Sequence, residues 1–283
     1  MRRYELTDAQ WRQIEPLLPP RQGRGRPYRD HRTMLHAWFW ILNHGSPWRD
    51  WAGAFRPLED GVQPLQPVAA GRVDRPPAPS LADPLGCRRP HRLGPVVHRR
   101  QFRARPCVRS GRWKKGGTQE PADHALGRSR GGWGTKIHVV ADGQGTPLTV
   151  GITPGQAHES TAVTATLQAV RIPQPLGHPR CRPACVTGDK GYDIPRIRRW
   201  LRHRGIGAVI PEKSKPHGRG PGRPPRFDAP TYRRRNVIER CIGWLKHARR
   251  IATRYEKTAV NFLAMLKLVM IQHYFKTHLR DTT

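Results

Sequence analysis

Residues 231–246 read TYRRRNVIERCIGWLK, and the spacing inside this stretch decides how the rest of the chain is read. Tyr232, Arg235, Glu239 and Lys246 stand at offsets 0, 3, 7 and 14, close to whole multiples of the helical period, so one helix can project all four from one face. A carboxylate is thereby flanked by two cations and a phenol. Ile238, Ile242 and Leu245 follow the same period on a neighbouring stripe, giving the helix an apolar side to bury while Glu239 points out of the core. Spacing alone leaves two readings open, a supported acid or the solvated face of a basic amphipathic helix.

The stretch resembles, position for position, the Y-x2-R-x3-E-x6-K signature of DDE-type insertion-sequence transposases of the insertion-sequence 5-like group. The resemblance implies that Glu239 is the third metal-binding carboxylate. It also implies that Tyr232, Arg235 and Lys246 contact DNA phosphates near the cleaved end. Upstream, Ala184, Cys185 and Val186 form a short apolar strand that runs into Thr187-Gly188-Asp189-Lys190-Gly191-Tyr192. An Asp at the C-terminal edge of a strand, followed by Gly, sits where open α/β sheets place ligands, although a turn Asp has the same local sequence. Here D-x-G-[FY] is similar to the family's second-carboxylate motif, which implies that Asp189 is a catalytic, metal-binding acid beside Glu239.

Composition agrees with a DNA partner. The 283 residues hold 52 Lys+Arg against 20 Asp+Glu, a formal charge of +32 that is too large and too widely spread for a single tail. A polyanion is the natural partner. No run reaches the ~18 apolar residues of a membrane span. The start MRRYELTDAQW lacks the apolar region of a signal peptide, so the expected location is the prokaryotic cytoplasm, in association with the nucleoid. Five cysteines without repeated CxxC pairs argue against a disulfide framework or zinc finger; Cys181-x3-Cys185 beside His178 reads as a reduced pair near a strand.

Residues 1–55 read as short helices. Thr7-x-x-Gln10 fits a capping box, after which Trp11, Ile14 and Leu18 share a face, and Pro16 limits the helix to two or three turns. The connector RQGRGRPYRDHR supplies Arg21, Arg24 and Arg26 as phosphate contacts. From Thr33 to Asn43, Leu35, Trp38, Phe39 and Leu42 form a stripe that Gly45 should terminate, and Ser46-Pro47 should open another helix carrying Trp48 and Trp51. Short helices with exposed Arg suit a helix-turn-helix reader of DNA or a plain helical bundle. The layout L-T-D-x-Q-W…L-P-P…G-R-P…G-x-P-W-R-D is similar to the N-terminal domain of the same transposase group, which favours DNA binding.

Residues 56–113 are different. Between Arg56 and Trp113 there is no Ile, Met, Thr, Asn, Tyr or Lys, Pro and Arg crowd together, and no apolar period survives. The segment reads either as a disordered basic linker or as a stretch translated out of frame. With synonymous codons, RPLEDGVQPLQPVAAGRVD read one nucleotide later can become GPWKTVYNRFNRWRRDG. The same shift turns PHRLGPVVHRRQFRAR into RIDWDRWCIDGSFVHA, in which W-C-I-D-G-S resembles the family's first catalytic strand. The lost Asp codon would straddle those of Arg99 and Arg100, and the chain as written has no acid there.

From Lys114 the pattern resumes. A strand from Thr135 to Ala141, a tight turn at Asp142-Gly143 and a strand from Pro147 to Ile152 are followed by a helix over 161–170 with Ser160 as its N-cap. Ile197, Trp200 and Leu201 face one side of a further helix, Ala208 to Ile210 form a strand, KSKPHGRGPGRPPRFD is a basic loop, and a core helix starts at Asn261. The expected fold is α/β, an RNase H-like catalytic domain (residues 114–283, without its first strand) preceded by a small all-α helix-turn-helix-like domain.

The resemblance implies two-metal phosphoryl transfer with Mg²⁺, or Mn²⁺ in its place, on double-stranded DNA carrying terminal inverted repeats and on target DNA, by a homodimer. Only two of three acids are present, so the expectation is DNA binding without cutting or joining. The rival readings are a non-catalytic basic DNA-binding protein and a metal-dependent nuclease of the same fold.

Overall fold

The computed structural model describes residues 4–19, 30–50, 96–104, 120–174, 176–213 and 227–278. Arg21, Arg24, Arg26, Trp51, most of the irregular 56–113 segment and the basic loop after Lys213 lie outside the described residues.

The sheet is organised around two long neighbours, β1 (Val96–Ala104) and β3 (Gly132–Ala141), which pair antiparallel over eight residues from Val96 opposite Ala141 to Arg103 opposite Gly134. β2 (Gly127–Ser129) and β4 (Pro147–Pro154) are antiparallel partners of β3. On the other side of β1 the pairing is parallel: Val96 aligns with Thr187 of β5 (Cys185–Thr187), β5 pairs with β6 (Gly207–Val209), and Arg103 and Ala104 align with β7 (Thr253–Arg254). The sheet is thus an antiparallel meander joined through β1 to parallel strands, with helices on both faces.

A sheet without its first strand is therefore not what the chain forms. The nine residues VVHRRQFRA occupy a central position as β1. Strand pairing is made by backbone groups, and Val96, Val97 and Phe102 are residues with high strand propensity, so a segment with no apolar period can still fill a ladder.

β3 shows why helices cover both faces. Ile137, Val139 and Ala141 point into one buried cluster and Val140 into another, as alternate residues of a strand must. On the Val140 side lie α3 (Ser160–Gln168) and α4 (Pro195–His203), whose Val163, Leu167, Ile197 and Leu201 are buried. On the Ile137 side lie α6 (Asn236–His247) and α8 (Ala259–His278), with Ile238, Ile242, Leu245, Phe262 and Leu266 at or near zero exposure.

The N-terminal helices belong to that second cluster. α1 (Asp8–Ile14) has the expected capping box, with Thr7 Oγ1 accepting from Gln10 N and Gln10 Oε1 accepting from Thr7 N. α2 (His31–His44) starts two residues earlier than Thr33 because Asp30 caps it, and it ends at Gly45, whose φ of +72° is the left-handed stop. Ser46-Pro47 opens only a 3-10 turn, Trp48–Asp50. Leu6, Ile14, Leu35, Phe39 and Leu42 are buried together with Ile238, Phe262 and Leu266, so the helices form one core with the sheet layer and not a detached module.

Two buried polar residues tie distant segments together. Arg254 is fully buried and donates to Thr135 Oγ1 (2.6 Å), His124 O (2.9 Å), Glu256 O (2.9 Å) and Lys257 O (3.0 Å), and burial lowers its pKa to about 10. Glu120 accepts from Ala259 N (2.6 Å) and Val260 N (3.0 Å), capping α8 with a negative charge where the helix dipole favours one.

Candidate functional site

The signature stretch is two helices, not one. Asp228 caps α5 (Ala229–Arg233) by accepting from Thr231 N, and α6 starts at Asn236. At the joint Arg235 N donates to Tyr232 O and Ile238 N to Arg235 O, the three-residue spacing of a tightened turn. Arg234 and Arg235 keep right-handed helical dihedrals, so the chain narrows without turning away. Three of the four residues of the expected face are in contact across the joint: the Arg235 guanidinium lies 5.7 Å from the Tyr232 ring centre and its Nη1 donates to Glu239 Oε1 at 3.1 Å. Glu239 is two-fifths exposed, which fits an acid turned out of the core. Lys246, in the last turn of α6, is half-buried.

Asp189 stands two residues beyond β5, after Gly188. It is the N-cap of a 3-10 turn, Lys190–Tyr192, and its Oδ1 accepts from Gly191 N at 2.8 Å. The space at Gly191 is tight: a Cβ at this position would stand 2.9 Å from Asp189 Oδ1 and 2.8 Å from Glu159 Oε2. Two carboxylates therefore converge on one α-carbon.

Glu159 is the acid that sequence reasoning passed over. The sequence suggested Ser160 as an N-cap; instead Ser160 is the first residue of α3, Glu159 is its N-cap without a side-chain capping bond, and Ser160 Oγ meets His158 Nδ1 at 2.8 Å. The Glu159 carboxylate is buried, 4.0 Å from Lys136 Nζ. The available signal was the break in polarity, a charged residue directly before an apolar helix.

β1 connects the two halves of the site. It pairs with β5, which leads to Asp189, and α6, which carries Glu239, packs against it. Among the described residues no group of three His, Cys, Asp or Glu side chains is placed to hold a metal ion. Cys181 is exposed, Cys185 half-buried and Cys241 buried, all as free thiols, and burial pushes the Cys241 thiol up to about 12. Asp142 serves its hairpin, its Oδ1 accepting from Gln144 N and Thr146 N, and the left-handed residue of that turn is Gly145 rather than Gly143. No described helix is long and apolar enough to cross a membrane.

Comparison with known proteins matches two family models to this chain. Residues 108–272 match the "Transposase DDE domain" and residues 6–60 match the "Putative transposase of IS4/5 family". The chain is 37% identical over 186 residues to the "Putative transposase for insertion sequence element IS402" of Burkholderia cepacia, covering 64% of this chain and 79% of that protein. It is 30% identical over 139 residues to the "Putative transposase for insertion sequence element IS6501" of Brucella ovis, covering 47% of this chain and 92% of that protein.

Proposed function

The chain belongs to the DDE transposases of the insertion-sequence 4/5 group, and from that membership we propose that it binds insertion-sequence ends as double-stranded DNA but lacks the acids to cut and join them. The observation that carries this reading is the register of β1. Val96 is level with Thr187 and the strands run the same way, so the residues beside and beyond Asp189 are His98, Arg99 and Arg100. An acid is what the family's chemistry calls for on that strand, and the sequence of β1 contains none.

The remaining donors do not fit a two-metal centre. Asp189 spends one oxygen on its own turn, Glu239 is paired with Arg235, and among the described residues no three potential ligands are grouped to hold a metal ion. No catalytic step is therefore assigned to this chain. Its residues are suited to binding: Arg235 and Lys246 supply positive charge to phosphates, and Tyr232 supplies a hydroxyl and a ring that orients the guanidinium. The sheet order, a three-stranded meander followed by parallel strands, supports an RNase H-like reading of the domain. Homodimerisation on DNA and residence at the nucleoid in the cytoplasm belong to the same proposal.

Residues 61–107 fall between the two family matches, which supports reading most of that segment as out of frame. A supercoiled plasmid carrying the DNA ends that flank the gene, incubated with protein and Mg²⁺, should be bound and stay intact. Nicking at those ends by this chain would overturn the proposal. A version with the frame corrected between the codons for Arg56 and Trp113 should nick the same plasmid.

A further inference from the structure

The half of the domain built from α3, β5, α4 and β6 keeps its acids to one edge, while its cations stand at both. No Asp or Glu stands between Glu159 and Asp189, and none between Asp193 and Glu212. Glu159 precedes α3, Asp189 follows β5, Asp193 precedes α4 and Glu212 follows β6, so all four acids lie at the edge where the parallel strands end. The segments between them return to the opposite edge. There Ile172 bridges Arg180, Gly207 N donates to Ala184 O at 2.9 Å, and the C-terminal end of α4 meets the start of β6. Arg180, Arg182, Arg199, Arg202 and Arg204 all emerge exposed at this far edge. Among the described residues none of them meets a carboxylate, and Arg204 instead lies over the Trp200 ring at 4.7 Å.

A solvated surface ordinarily mixes both signs, because like charges held together repel. Five guanidinium groups with no acid among them concentrate positive potential at one edge, and arginine forks match phosphate oxygens. α4 alone carries the chain about 13 Å from the acid edge, at 1.5 Å per residue over its nine residues. We propose that this edge is a second DNA-binding surface, taking the phosphodiester backbone of a duplex other than the one held at Tyr232, Arg235 and Lys246. The inference rests on the reading of the chain as a binder of element ends and adds a second duplex to it. Contacts through phosphates carry no sequence information, so the second duplex is of arbitrary sequence.

The test immobilises a duplex copied from the end of the chain's own element, loads it with the full-length protein, and adds a fluorescent duplex of unrelated sequence. The chain should hold the first and capture the second. Replacing Arg180, Arg182, Arg202 and Arg204 by Ala should leave thermal melting and first-duplex affinity within about twofold. Capture of the second duplex should fall about tenfold or more, with a salt slope lower by about 3 to 4. The corresponding quadruple Lys variant should restore capture. Unchanged capture by the Ala variant, an equal loss of both duplexes, or a wild-type chain that holds one duplex and captures none would each overturn the second surface and leave end binding standing. Failure to hold the first duplex would overturn both.

Discussion

Arg235 Nη1 donates to Glu239 Oε1 at 3.1 Å while its guanidinium lies 5.7 Å from the ring centre of Tyr232. The three residues that anchor the signature are thus in contact across the junction of α5 and α6. With 22% and 40% of the two charged side chains exposed, the ion pair adds little to the fold. Arg235→Ala should cost no more than about 0.5 kcal/mol in stability. DNA titrations at several salt concentrations should show uniformly weaker binding and a salt slope reduced by about one. A slope equal to that of the unaltered chain would remove Arg235 from the interface.

Gly191 and Gly243 predict opposite outcomes for the same substitution. A Cβ at Gly191 would lie 2.8 Å from Glu159 Oε2 and 2.9 Å from Asp189 Oδ1, so Gly191→Ala must shift a carboxylate tip and should cost about 0.5–1.5 kcal/mol. Gly243 lies inside α6 with nothing within 4 Å of the added atom, so Gly243→Ala should stabilise by about 0.5–1 kcal/mol through helix propensity. Urea denaturation of both variants checks the pair.

Removing the N-terminal helices should destroy the fold rather than release an independent module. Leu6, Leu35, Phe39 and Leu42 are packed with Ile238, Phe262 and Leu266. Asn43 Nδ2 also donates to Gln272 Oε1 at 3.1 Å, and Arg250 Nη1 donates to Ser46 O at 2.9 Å. Residues 56–283 expressed alone should be insoluble or bind a hydrophobic dye, whereas a soluble fragment with a sharp melting transition would contradict the shared core.

His273 should make the protein sensitive to mild acid. Burial, then the nearby His278 and Lys276, lower its pKa below the usual 6.5, with Asp142 opposing. Its ring packs on Trp244 with centroids 4.1 Å apart, and Nδ1 is buried without a hydrogen-bond partner among the described residues. Because the unfolded chain takes up this proton at a higher pH than the folded one, stability should fall as pH drops through about 6.5 and level off below the folded pKa. His273→Phe should flatten that part of the melting-temperature profile, and an unchanged profile would exclude His273 as its source.

Much of this architecture is written locally and therefore legible. The capping box at Thr7 and Gln10, the left-handed stop at Gly45, the β3–β4 hairpin and the apolar stripe of α8 depend on neighbours within one or two turns, and their sequences specify them. Long-range relations are less accessible. The strand at Val96–Ala104 owes its place to the backbones of β3, β5 and β7, and its own residues give no periodic sign of it. Glu159 escapes a sequence reading because no local pattern discloses that Gly191, thirty-two positions later, is its neighbour. The signature face of Tyr232, Arg235 and Glu239 was legible from spacing, but the tightened turn at its start was not.

Arg254 closes the fold in a way that governs when it can form. Its guanidinium joins the carbonyls of His124, Glu256 and Lys257 and the hydroxyl of Thr135, and its strand flanks Ala104. Leu6 and Leu35 meanwhile share a core with residues as late as Val269. During synthesis the first half of the chain therefore emerges from the ribosome without its packing partners, and completion waits until the codons for Arg254 and Met270 have been read. Until then its apolar segments are open to chaperones and proteases, the usual condition of a large domain whose core joins both ends of the sequence.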